Sequence, residues 1–103
     1  MAIERLVGLN VVNDKLYNTY REQMFPLLMK YGGSFGYDFK VSEVLKSEVS
    51  KPINRVFTIF FESEELMDDF FSNDEYLKIR EKYFDSAVDF STTISKYERS
   101  LFI

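Results

Sequence analysis

Apolar residues fall along this chain in patterns that change from strand-like to helical and back. Residues 3–12 are apolar and β-branched, with Val7, Leu9 and Val11 on one face of an extended segment. Asn13 or Asp14 follows as a helix N-cap, because either side chain can accept from a free backbone N–H of the first turn. Leu16, Tyr20, Met24, Leu27 and Tyr31 then recur in steps of four, four, three and four, which is the stripe of an amphipathic helix. Pro26 lies inside it and is expected to kink it, since it cannot donate to the Glu22 carbonyl. Gly32-Gly33 closes the helix, one of the two taking the left-handed conformation at no steric cost.

The period then returns to two. Residues 34–49 read as a long strand, with Phe35, Tyr37, Phe39 and Val41 on one face and Gly36, Asp38, Lys40 and Ser42 on the other. "SKPIN" supplies a turn. "RVFTIFF" at 55–61 is apolar on both faces and predicts a central strand. Ser63 caps a short helix whose apolar face is Leu66, Met67, Phe70 and Phe71. "SND" interrupts it and starts a second helical segment carrying Tyr76, Ile79, Tyr83 and Phe84 inward. Residues 88–99 form the last strand, in which Val88, Phe90, Thr92 and Ile94 alternate with Asp89, Ser91, Thr93 and Ser95.

The order β-α-β-β-α-β, with no linker or low-complexity segment, predicts one α+β domain over residues 1–103. Its fold class is ferredoxin-like: a four-stranded antiparallel sheet with both helices on one face. The other face then lacks cover within a single copy. Eleven Phe and seven Tyr in 103 residues are more aromatic surface than so small a domain can hide. A homodimer through the sheet face is the expected partner arrangement.

Charge and composition narrow the chemistry. A net charge of −4 without any basic cluster argues against nucleic acid or an anionic membrane as partner. There is no cysteine and no histidine, which removes thiolate chemistry and the commonest metal ligand and neutral-pH base. No metal and no cofactor is expected. With no signal-peptide layout and no apolar run of about 20 residues, the reading is a soluble, cytoplasmic protein.

"NDKLYNTYREQMFPLLMKYGG" resembles the opening of a family of small proteins of unknown function in the dimeric α+β barrel superfamily. The matching positions are Asp14, Tyr17, Tyr20, Arg21, Pro26, Gly32 and Gly33. "NRVFTIFFESEELMDDFFSNDEYLKI" is similar to its second half through Arg55, Ser63, Phe70, Phe71, Glu75 and Tyr76. The chain departs from the pattern at Leu45-Lys46-Ser47, at Phe60, in having Phe at both positions of the aromatic pair, and at Tyr83. The resemblance implies a dimeric barrel with a ligand cleft between sheet and helices. Its relatives include cofactor-independent monooxygenases, haem-degrading enzymes, isomerases and polyketide cyclases.

The ligand-binding candidates are polar residues on otherwise apolar elements: Asn10, Tyr20, Asp38, Arg55, Tyr76 and Arg80. Each has a plainer explanation. Asn10 can satisfy a strand end, Tyr20 and Tyr76 can be core rings with their hydroxyls at the rim, and Arg55 can pair with an acid. Arg80 and Asp38 can be solvated. Glu64, Glu65, Asp68 and Asp69 read as a solvated helix N-terminal face. The expected function is binding of a small apolar or aromatic ligand. The alternatives are a cofactor-independent monooxygenase, isomerase or cyclase, and a structural dimeric scaffold.

Overall fold

The computed structural model describes residues 1–100. The elements run β1 (Ala2–Val11), α1 (Asp14–Lys30), β2 (Gly33–Lys40), β3 (Arg55–Phe61), α2 (Glu64–Ser72), α3 (Asp74–Ile79), a π-helical turn (Arg80–Phe84), α4 (Asp85–Ala87) and β4 (Val88–Arg99). The strands form one antiparallel sheet in the order β2-β3-β1-β4. The connection from β1 to β2 through α1 thus passes over β3, the connection from β3 to β4 through the second helical region passes over β1, and the helices lie on one face.

Local chemistry sets the helix ends. Asn13 caps α1 by accepting from the Leu16 N–H at 3.0 Å, and Ser63 caps α2 from Leu66 at 3.1 Å. Asn73 both stops α2 and caps α3, accepting from Tyr76 at 3.1 Å. Past Pro26, α1 continues to Lys30. Gly32 then takes φ +72°, the left-handed residue of the helix end. Gly33 has a separate reason to be glycine. A Cβ there would overlap the Leu28 side chain and come within 2.9 Å of Phe61.

The second strand stops at Lys40 and not near residue 49. Residues 41–54 leave the ladder as an exposed loop whose base is closed by Val41 N–H donating to the Asn54 carbonyl at 2.9 Å. Asn54 anchors its far end: its backbone donates to Leu9, and its amide donates to and accepts from the Val11 backbone, both at 2.8 Å.

The predicted sharing of faces also fails in two strands, for one physical reason. In β2, Phe35 pairs with Ile59 and Asp38 with Phe57, so Gly36 and Tyr37 together oppose Thr58. This bulge leaves Phe35 under the helices, edge-on to Phe57 at 5.5 Å, and sends Tyr37 and Phe39 to the other face. In β4 the register against β1 shifts at Asp89 and again at Ile94. Val88 therefore joins the core while Phe90, Thr92 and Ile94 face away from it.

The core lies between helices and sheet. It joins Ile3, Val7, Leu9 and Val11 of β1, Phe57, Ile59 and Phe61 of β3, Tyr17, Tyr20, Met24, Leu27 and Leu28 of α1, and Met67, Phe70 and Tyr76 of the second helical region.

Candidate functional site

The same layer encloses a partly open cavity of about 470 Å³. Its walls come from every side. Tyr17, Tyr20, Arg21 and Met24 occupy one face of α1, at helical spacings of three, four and seven. Arg5, Val7 and Leu9 rise from β1, Phe57 and Ile59 from β3, and Ser91, Thr93 and Lys96 from β4. Phe35 of β2, Met67, Asp68 and Phe71 of α2, Tyr76 of α3, and Arg80 and Phe84 of the π turn complete it. The π turn is a wider coil than an α-helix, a device often found at functional positions. Here it brings the Arg80 guanidinium to 5.0 Å from the Phe84 ring, both on the cavity wall.

Two phenols meet inside. The Tyr20 and Tyr76 hydroxyls share a buried 2.8 Å hydrogen bond. Burial pushes Tyr20 well above the ordinary tyrosine value and raises Tyr76 as well, so both are held protonated. Tyr17 is raised too, again by burial, although its oxygen accepts from Arg21 Nε at 2.7 Å.

Arg21, Arg55 and Asp38 form a charged cluster beside the cavity. Arg55 grips both Asp38 oxygens at 2.8 Å, and Arg21 reaches Asp38 at 3.2 Å. Partial burial raises the Asp38 carboxyl, but the Arg55 hydrogen bonds and the two guanidinium charges outweigh this and leave it below its usual value. The second terminal nitrogen of Arg21 is buried without a hydrogen-bond partner. Its guanidinium is instead surrounded by rings, 3.9 Å from Phe35, 4.8 Å from Phe57 and 5.0 Å from Tyr17.

The six residues singled out from sequence separate accordingly. Tyr20, Tyr76 and Arg80 line the cavity. Asp38 and Arg55 lie on the same side of the sheet but are spent on each other and on Arg21. Asn10 is elsewhere: it pairs with Phe90 on the open face and donates to Asp89 at 3.0 Å. Glu64, of the acidic helix face, pairs with Lys96 at 2.5 Å. Sequence reasoning passed over Arg5 and Lys96. Arg5 carries a readable signal, since it is a lone cation at an inward position between Ile3 and Val7.

The chain matches no protein-family model and no curated protein sequence. It is similar to several solved structures. A protein of unknown function from Rhodopseudomonas palustris superposes with a TM-score of 0.81 at 16% identity, over 96% of this chain and 82% of that one. A "dabb family protein with a ferredoxin-like fold" from Mesorhizobium loti gives 0.66 at 10% identity, over 96% and 97%. A "dimeric protein of unknown function and ferredoxin-like fold" from Bacteroides fragilis gives 0.61 at 13%, over 95% and 96%. At these identities the likeness establishes the fold, which is ferredoxin-like. Among the described residues no helix is long and apolar enough to cross a membrane.

Proposed function

We propose that this chain is a homodimeric barrel protein that binds a small apolar or aromatic ligand between its helices and its sheet. The cavity carries this reading. Its volume is that of ordinary small-molecule sites, its walls are mainly aromatic and aliphatic, and a few hydroxyls and cations converge on it. Within it, Tyr20, Tyr76 and Arg80 are ligand contacts, and Asp38 and Arg55 hold Arg21 against the wall. The homodimer is supported by the uncovered sheet face, where Tyr37 is 65% exposed, Phe39 56% and Ile94 51%. The description of the Bacteroides fragilis protein as dimeric agrees with it.

A second reading is favoured by the paired phenols. Held protonated in a partly apolar site, Tyr20 or Tyr76 can donate to a carbonyl or enolate oxygen as negative charge develops there. That is the contribution a cofactor-independent oxygenase, isomerase or cyclase would need from the protein.

Calorimetric titration with 2-naphthamide tests the binding reading. The wild type takes up the ligand, and Ser91→Trp, which fills the cleft from its exposed edge, weakens binding about tenfold or more with an unchanged circular-dichroism spectrum. Absence of binding by the wild type to 2-naphthamide, benzamide and decanamide and to their acids would end the reading.

A further inference from the structure

Four cations line the cavity: Arg5, Arg21, Arg80 and Lys96. Three already have acids. Arg21 is joined to Asp38, Arg80 has Asp85 at 3.7 Å, and Lys96 has Glu64 at 2.5 Å. Arg5 has no carboxylate within ion-pair distance among the described residues. Asp68 lines the same cavity without pairing with it.

Arg5 is nonetheless placed with care. One terminal nitrogen donates to Thr93 Oγ1 at 2.6 Å, and the guanidinium lies 5.1 Å from the Phe71 ring. These two contacts fix the plane of the fork and leave its other N–H groups without protein acceptors among the described residues. Its neighbours add to the positive charge around it. Lys96 stands directly opposite Arg5 in the β1–β4 ladder, an arrangement of like charges that disfavours pairing. Burial lowers the affinity of Arg5 for its proton, the nearby Tyr76 opposes this, and the Arg80 charge adds to it.

We infer that the cavity takes a carboxylate-bearing ligand, an aromatic or aliphatic acid whose carboxylate is received by the Arg5 fork beside Arg80 and Tyr76. The inference rests on the ligand-binding reading above and specifies its substrate class. A planar carboxylate matches the guanidinium geometry in two parallel hydrogen bonds, and it supplies Arg5 with the counter-charge that Arg80 and Lys96 already have in Asp85 and Glu64. The apolar body of the acid then lies among Val7, Ile59, Met67 and Phe71.

The test titrates benzoate, 2-naphthoate and decanoate, each against its own carboxamide, into wild type, Arg5→Gln and Arg5→Lys. Wild type is expected to prefer at least one acid over its amide by about tenfold or more. Arg5→Gln abolishes that preference while retaining amide binding, and Arg5→Lys keeps part of it. Equal binding of acid and amide by wild type overturns this inference and leaves the cavity reading standing, a comparison that needs no variant to fold. An acid preference that survives in a folded Arg5→Gln also overturns it. Absence of binding by every acid and every amide overturns both.

Discussion

The two faces of this sheet are built from the same strands but solve different problems. The helix-covered face is a mixed layer of aromatic rings and aliphatic chains that stops short of filling its space. The polar groups on its cavity wall are phenols, four cations, the Ser91 and Thr93 hydroxyls and one carboxylate, Asp68. The open face carries Glu4, which is only 6% exposed. Tyr97 donates to it at 2.5 Å and Arg99 at 2.8 Å, so its charge is satisfied by its own sheet. Tyr37, Phe39 and Ile94 are exposed on the same face. A face whose buried charge is already satisfied and whose apolar side chains are exposed suits contact with another protein surface. Arg5, a cation with no carboxylate within ion-pair distance among the described residues, suits a small anion.

Crowding the covered face is expected to have the largest effect. Gly33→Val drives two methyls into Leu28 and Phe61, and chemical denaturation should show a loss of about 3 kcal/mol. Its neighbour separates sterics from backbone strain. Gly32→Ala meets nothing closer than 3.4 Å but must hold φ +72°, and should cost about 1 kcal/mol. Equal losses at the two positions would mean that one mechanism governs both.

Between these in size lies the ion cluster. Asp38→Asn leaves Arg21 and Arg55 without their counter-charge and should cost about 2 kcal/mol at neutral pH. Because the folded Asp38 titrates below its ordinary 3.8, its contribution is complete above that value and disappears as pH falls through the lower folded value. The gap between wild type and Asp38→Asn should therefore close in acid. A gap independent of pH would remove the charge from the explanation.

The smallest effect on folding belongs to the open face. Phe39→Ser should change the unfolding free energy of the separated subunit by less than about 0.5 kcal/mol. Sedimentation equilibrium should nevertheless show the dimer dissociating at concentrations about tenfold higher or more. A monomeric wild type at micromolar concentration would leave the open face without its proposed role.

The legible part of the molecule was the local part. Element order, the bounds of β3 and β4, the caps at Asn13, Ser63 and Asn73 and the glycine corner all follow from chemistry within a few residues. The bulges at Gly36–Tyr37, Asp89 and Ile94 do not, because each is a mismatch between two strands distant in sequence. One added residue reverses every side chain beyond it, so the single alternation running from Phe35 to Phe39 was divided between two faces. The site shows the same division. Tyr20 and Tyr76 stood out as polar atoms on apolar stripes. That their hydroxyls meet, and that a π turn carries Arg80 and Phe84 to the same wall, depends on tertiary packing. Arg5 was readable in principle, as a lone cation at an inward strand position between Ile3 and Val7.

The division of labour between the two faces is tested most directly by a crystal structure of the chain grown with 2-naphthoate. The account predicts the naphthalene ring between the helices and the sheet, with its carboxylate in hydrogen-bond contact with the Arg5 guanidinium. A naphthoate seated on the open face, or a cavity left empty at a saturating concentration, would contradict it.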